Sequence, residues 1–158
     1  LTMPSKYLTI LLMFIGASPA STGGGIKTST FALIIMMIYT VLASKENVEV
    51  YQRRIPTDNI FKAVVIAVIS MLLVFTSSFL LTITEQADFL SILFEATSAF
   101  GTVGLTLGIT SDLSAFGKII IMLTMFAGRV GPLTLALALG SRTNKALIKF
   151  PEERILVG

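Results

Sequence analysis

The sequence contains no cysteine and no histidine, and only 13% of its residues are charged. The absence of cysteine excludes disulfide bonds, so the redox compartment cannot be inferred from the sequence. The absence of histidine removes the commonest metal ligand and the commonest general base. Because no nucleophile–base pair is visible either, we expect that the chain is not an enzyme and binds no cofactor.

The charged fraction is about half the 25% that is usual in soluble domains. Hydrophobic residues make up 54% of the chain, and the mean hydropathy is +0.87. This composition predicts a membrane protein. The net charge of +3 is too small to favour nucleic-acid binding.

The chain begins at Leu1, and its first charged residue is Lys6. The charged, apolar and small-residue regions of a signal peptide are missing there. We expect the chain to be the C-terminal part of a longer polypeptide.

The first apolar stretch, residues 7–44, carries one charge, Lys27. A straight helix of this length would measure roughly 57 Å, whereas the hydrocarbon core of a bilayer is about 30 Å thick. The run 16–25 contains Pro19 and three consecutive glycines, which break a helix. Two spans joined as a hairpin, or one span interrupted at membrane depth, both fit. We favour the interrupted span because the flank 7–15 is too short to cross alone.

The remaining pattern predicts an all-α polytopic membrane protein in which this interrupted span precedes one span–pore helix–filter–span repeat. The predicted divisions are 1–44 as the closing span of a preceding repeat with intramembrane loop 16–27, connector 45–58, one complete repeat 59–141 (span 59–84, pore helix 88–100, filter 101–106, span 117–141) and tail 142–158.

The basic residues predict the orientation. They concentrate in the connector and in the tail, whereas acids dominate between the long runs. By the positive-inside rule, the connector and tail are cytoplasmic, residues 85–117 lie outside, and the protein is a multi-pass protein of the cell membrane. The tail is either solvated or docked on a partner subunit.

A filter-like turn, Thr102-Val103-Gly104, follows a half-length apolar run. In ion-selectivity filters, backbone carbonyls replace the water shell of the ion, and the negative end of a helix dipole favours a cation. An ordinary extracellular turn is the alternative. We predict that carbonyls of this segment coordinate a cation, namely those of Phe100, Gly101, Thr102, Val103 and Gly104.

The glycine-rich loop 16–27 is predicted to act as a movable plug, or gate, beneath the filter, because glycines provide mobility and hydroxyls provide polar contacts. The alternative is a kink packed against neighbouring helices. The candidate gate residues are Gly16, Ser18, Ser21, Thr22, Gly23, Gly24, Gly25 and Lys27. Lys27 either extends toward the membrane surface or holds the plug shut by repelling cations.

Arg129 lies inside the last apolar run, where a charge costs roughly 2.5–3.5 kcal/mol on insertion scales. It either pairs with a buried group such as Glu95, contacts filter or loop carbonyls, or forms a fixed positive charge in the ion path.

These strings together resemble the Ktr/Trk/HKT superfamily of potassium transporters, and within it the bacterial KtrB/KtrD membrane subunits. The matching strings are Met13–Gly16, Ser21–Lys27, Leu81–Glu85, Ser98–Thr106 and Gly128–Thr134. The resemblance implies four fused pore repeats, of which 1–44 closes the third and 59–141 is the fourth. It also implies Gly104 at the filter glycine, 16–27 as the gating loop and Arg129 near that loop. Pro19 departs from the family pattern and is expected to stiffen the loop.

The resemblance also implies K⁺ as the transported ion, with Na⁺ as a second candidate, and two membrane subunits on a cytoplasmic ring of nucleotide-binding regulatory subunits of the KtrA/KtrC kind. A secondary cation symporter with a broken helix is the alternative function.

Overall fold

The computed structural model describes residues 1–44, 47–50, 53–131 and 134. In that part of the chain the helices are α1 Met3–Phe14, α2 Thr28–Leu42, α3 Thr57–Thr84, α4 Phe89–Gly101 and α5 Ala115–Val130. Strands β1 (Glu49–Val50) and β2 (Arg53–Arg54) pair antiparallel, with Glu49 opposite Arg54. The predominance of helix agrees with the predicted all-α class. The short hairpin within the predicted connector is a local exception that the sequence did not indicate.

Helix α3 is a long apolar helix of 28 residues, or about 42 Å. Among the described residues it is the one helix that is long and apolar enough to cross a membrane. Only 28% of its most apolar window is buried, whereas the core helix of a soluble protein would be mostly buried. Its exposed side chains, including Phe61, Phe75 and Phe79, therefore suit a lipid or protein environment rather than water.

Helix α4 lies at the centre of the fold, between α1, α3 and α5. Its 13 residues span only about 20 Å, and every residue from Phe94 to Gly101 is buried. Two apolar clusters hold it in place, one formed by Leu81, Ile92, Ala96, Ala99, Leu113 and Ile121, the other by Ile26, Val74 and Phe100. Helix α4 is thus a short helix enclosed by longer neighbours.

Several hydroxyl side chains inside the helices are satisfied by their own helix. The hydroxyls of Ser70, Thr97 and Thr124 each donate to the carbonyl four residues earlier, at 2.7–2.8 Å. Because the Thr124 hydroxyl is already used as a donor, Ser77 donates to it across the α3–α5 interface at 2.7 Å. Such bonds between membrane helices contribute about 0.6 kcal/mol on average.

Glu85, at the end of α3, is bound to the start of α5. Its carboxylate accepts from the Ser114 backbone N–H at 3.1 Å and from the Ser114 hydroxyl at 2.5 Å. Ser114 Oγ in turn accepts from the Gly117 N–H at 3.1 Å, which caps α5. These hydrogen bonds from Ser114 hold the pKa of Glu85 below its ordinary value.

Helix α1 begins at Met3, and α5 ends at Val130, where Gly131 adopts φ +94°. Of the predicted last span, residues 132–133 and 135–141 lie outside the described residues, and so does the predicted tail 142–158.

Candidate ion-conducting site

The predicted break in the first apolar stretch lies between α1 and α2, and its two ends are joined. Ile15 and Ile26 form a parallel bridge. The Gly16 N–H donates to the Ile26 carbonyl at 2.6 Å, and the Ile26 N–H donates to the Phe14 carbonyl at 3.2 Å. The loop 16–27 therefore leaves the end of α1 and returns to it, and its two ends are hydrogen-bonded to each other.

The tip of this loop is a tight turn over residues 18–21. The Ser21 N–H donates to the Ser18 carbonyl at 3.1 Å, and Ala20 adopts φ +67°. Proline at the second position and a positive φ at the third are typical of a type II turn. Ala20 lacks the freedom of glycine there, a cost of roughly 1–2 kcal/mol. Pro19 thus fixes the turn, and Ser18, Ser21 and Thr22 are exposed around it.

Lys27 binds the loop to which it belongs. Its ammonium group donates to the Gly23 carbonyl at 2.6 Å and lies 3.4 Å from the Ser21 carbonyl. Its positive charge consequently stays beside the loop instead of extending away from it.

The candidate filter begins where α4 ends. Thr102 adopts a left-handed conformation (φ 52°, ψ 39°). The Thr102 N–H donates to Ala99 O and the Val103 N–H donates to Ser98 O, both at 3.0 Å, as in a Schellman motif. Gly104 follows with φ +82°, a conformation that glycine adopts without strain.

The carbonyl oxygens of residues 100–104 accept no hydrogen bond from the residues that the structure describes. They lie at the negative end of the α4 dipole. Acceptors of this kind are normally satisfied by a donor, water or a ligand. The helix end favours a donor or a positively charged group at these oxygens.

The loop touches the candidate filter directly. The Gly24 N–H donates to the Thr102 hydroxyl at 2.8 Å. A Cβ at Gly24 would lie 2.8 Å from the Phe100 carbonyl oxygen, and a Cβ at Gly128 would overlap that same oxygen. The Phe100 carbonyl is therefore enclosed between the loop and α5, and both contacts depend on glycine.

Arg129 is exposed at the end of α5 and lines a cavity of about 140 Å³ together with Gly25, Lys27 and Thr30. Glu95 has other partners: its carboxylate accepts from the Thr106 hydroxyl at 2.7 Å and lies 2.6 Å from the Thr110 hydroxyl. The structure thus brings Arg129 to the loop and does not pair it with Glu95.

Thr106 and Thr110 were missed as partners of Glu95 by the sequence reasoning. Their spacing of four residues was the available signal. It did not stand out because threonine is frequent throughout the chain.

A buried half-length helix, a membrane-capable helix and a loop packed against an unbonded carbonyl segment are typical of proteins that move ions across membranes. The TrkH family, described as cation transport protein, matches residues 4–145. The chain therefore belongs to this family, and it is a membrane protein.

Three relatives named as ion uptake proteins are similar to the chain over nearly its whole length. The chain is 46% identical over 152 residues to the Ktr system potassium uptake protein D of Bacillus subtilis (strain 168), covering 96% of this chain and 34% of that protein. It is 46% identical over 157 residues to the Ktr system potassium uptake protein B of Vibrio alginolyticus, covering 99% and 34%. It is 36% identical over 157 residues to the potassium/sodium uptake protein NtpJ of Enterococcus hirae, covering 96% and 35%.

The chain spans about a third of the length of these relatives. The resemblance to the KtrB/KtrD proteins is confirmed, and so is the expectation that the chain is not an enzyme, since the family and its relatives are transporters.

Proposed function

We propose that the chain forms part of a K⁺-selective pore in a Ktr-type uptake system. The observation that carries this proposal is the run of carbonyl oxygens, residues 100–104, that accept no hydrogen bond from described residues at the end of the buried helix α4. In selectivity filters, rings of backbone carbonyls replace the hydration shell of K⁺. The names of the relatives, which are potassium uptake proteins, favour K⁺ as the transported ion; Na⁺ remains a second ion, as in the name of NtpJ.

The loop 16–27 is the gate in this proposal. It is bound to the filter through Gly24 and Thr102 and lies against the Phe100 carbonyl. Movement of Gly24 away from Phe100 frees that oxygen for an ion. Lys27 keeps the loop closed on itself, and Arg129 beside it acts as a fixed positive charge in the ion path.

Equivalent filter segments elsewhere in the complete protein close the pore, because a ring of carbonyls needs several of them around one axis. By the resemblance, two such membrane subunits assemble on a cytoplasmic regulatory ring. The relatives are named as parts of a Ktr system, which supports a protein with further components.

The test is K⁺-dependent growth and ion uptake in a strain that lacks its own K⁺ uptake. The complete protein is expected to restore growth at low K⁺. The Gly104→Ser variant is expected to lower the ratio of K⁺ to Na⁺ uptake, because a side chain is strained at φ +82° and displaces the adjoining carbonyls. An unchanged ratio in that variant, at equal protein in the membrane, would contradict the filter assignment.

A further inference from the structure

Glu95 is a buried carboxylate with no assigned role. It lies in the middle of α4 and is 6% exposed. Its partners are the Thr106 and Thr110 hydroxyls, and no described lysine or arginine pairs with it. A buried charge is costly unless it is well hydrogen-bonded, and replacing it by an apolar group is often neutral or stabilising. Stability alone is therefore a poor explanation for a carboxylate at this position.

The hydroxyls on Glu95 belong to the segment that leaves the filter. The Thr106 hydroxyl donates to Glu95 Oε2 and accepts from the Gly108 N–H at 3.0 Å. Thr110 Oγ1 lies 2.8 Å from Thr106 Oγ1. The carboxylate thus fixes the turn 106–110, which starts two residues after Gly104.

The filter is consequently held by α4 at both ends. Its inner end is bound to the Ser98 and Ala99 carbonyls, and its outer end is bound to Glu95 through Thr106. Residues 95, 98 and 99 are spaced so that they share one face of the helix. That face, together with Gly104 and Leu105, lines a cavity of about 320 Å³. Without the outer attachment, the peptides of 103–105 have room to shift.

We infer that Glu95 is a positioning residue that sets the spacing of the filter carbonyls through its hydrogen bond with Thr106. This inference rests on the proposed filter function. It predicts that discrimination between K⁺ and Na⁺ depends on the Glu95–Thr106 hydrogen bond, even though neither side chain coordinates the ion.

The experiment compares ion uptake by the complete protein carrying T106V, T106S, E95Q or E95Q with T106V, normalised to protein in the membrane. Thr106→Val keeps the shape and removes the hydroxyl, which is the donor to Glu95 and the acceptor of the Gly108 N–H. The K⁺/Na⁺ uptake ratio is therefore expected to fall about tenfold, in line with loss of a hydrogen bond to a charged group. Thr106→Ser keeps the hydroxyl, so its K⁺/Na⁺ uptake ratio is expected to equal that of the wild type. Glu95→Gln, which offers a neutral acceptor, gives an intermediate fall.

The double variant separates this role from a general loss of stability. If Glu95 acts through Thr106, the double variant matches T106V alone, because the two changes remove one interaction. Glu85→Gln is the matched control: it removes another carboxylate bound to a hydroxyl, at Ser114, outside the segment 104–110. It is expected to lower the uptake of both ions alike.

Two results would overturn the inference: an unchanged ratio in T106V, or falls in T106V and E95Q that multiply in the double variant. Gly104→Ser keeps the two proposals apart. If that variant relaxes discrimination while T106V does not, the filter assignment stands and the role of Glu95 fails. If neither variant changes the ratio, the filter assignment itself fails.

Discussion

The carbonyl oxygen of Phe100, in α4, lies against both the loop 16–27 and α5. Glycine on the loop, at Gly24, and glycine on α5, at Gly128, allow both to approach that oxygen. The ring of Phe100 also packs against Phe14 of α1, with centroids 5.7 Å apart. A displacement of the loop or of α5 would therefore move the Phe100 carbonyl oxygen, at the inner end of the candidate filter.

The Thr102 hydroxyl is expected to hold the gate in place. Thr102→Val keeps the side-chain shape but leaves the buried Gly24 N–H without its acceptor, at a cost of about 1–3 kcal/mol. If the loop is the gate, its closed position is weakened, and uptake of K⁺ under non-activating conditions rises several-fold. Radioactive Rb⁺ uptake into cells or vesicles measures this rise.

Thr102→Ser retains the hydroxyl and serves as the control, with wild-type uptake expected. The K⁺/Na⁺ ratio should be unchanged in both variants, since the change concerns the side chain and not the carbonyls. Equal uptake by the valine and serine variants would count against a gate held by this bond.

At the scale of elements, the bond between the end of α3 and the start of α5 should make stability depend on pH. Because the folded pKa of Glu85 is lowered from 4.5, its stabilising contribution is present above that value and is lost as the pH falls through the folded pKa. Glu85→Gln should lower the thermal midpoint by about 2–4 °C at pH 7. The difference from wild type should shrink as the pH falls below about 4.5.

Thermal unfolding in detergent at pH 7 and pH 4 measures this difference. Asp112→Asn is the control, because Asp112 is an exposed carboxylate near the same helix ends. A Glu85→Gln protein whose deficit is as large at pH 4 as at pH 7 would show that the charge on Glu85 is not what links α3 to α5.

Much of the element arrangement follows from local sequence. The apolar run before Glu85, the half-length run before Gly101 and the glycines and proline of 16–25 predict a long helix, a short helix and a break. Each of these features depends on neighbouring residues, and the bounds of α3 and α4 lie within one or two residues of the predicted ones.

The contacts between elements could not be predicted in the same way. The Gly24–Thr102 hydrogen bond joins residues 78 apart in sequence, and the partners of Glu95 depend on how the turn 106–110 folds back on α4. Such pairings leave no periodic pattern. The β1–β2 hairpin was missed because two-residue strands are too short for alternation to be visible.

At the scale of the whole molecule, the predicted orientation can be tested with single cysteines, since the sequence contains none. Asn47→Cys changes the predicted cytoplasmic connector, and Ser111→Cys changes the predicted external segment. The thiol introduced at position 111 is expected to react with a membrane-impermeant maleimide in intact cells. The thiol introduced at position 47 should react only after the membrane is opened, because the basic residues of the connector place it inside.

Lys118→Cys, at an exposed residue near the start of α5, extends the test along the external side. Any cysteine elsewhere in the complete protein is first replaced by serine. Reaction of both the 47 and 111 positions from the same side would contradict an odd number of crossings between them.

The enclosure of α4 has a consequence for how the protein is made. Residues of α1, α3 and α5 surround it, and α5 is the last of these to leave the ribosome. Until α5 emerges, the short helix lacks two of its contacts: Gly128 against the Phe100 carbonyl, and Ile121 in the apolar cluster. Biogenesis must therefore hold α4 outside its final place during translation and seat it late, so that released chains truncated before residue 115 should leave α4 open to protease.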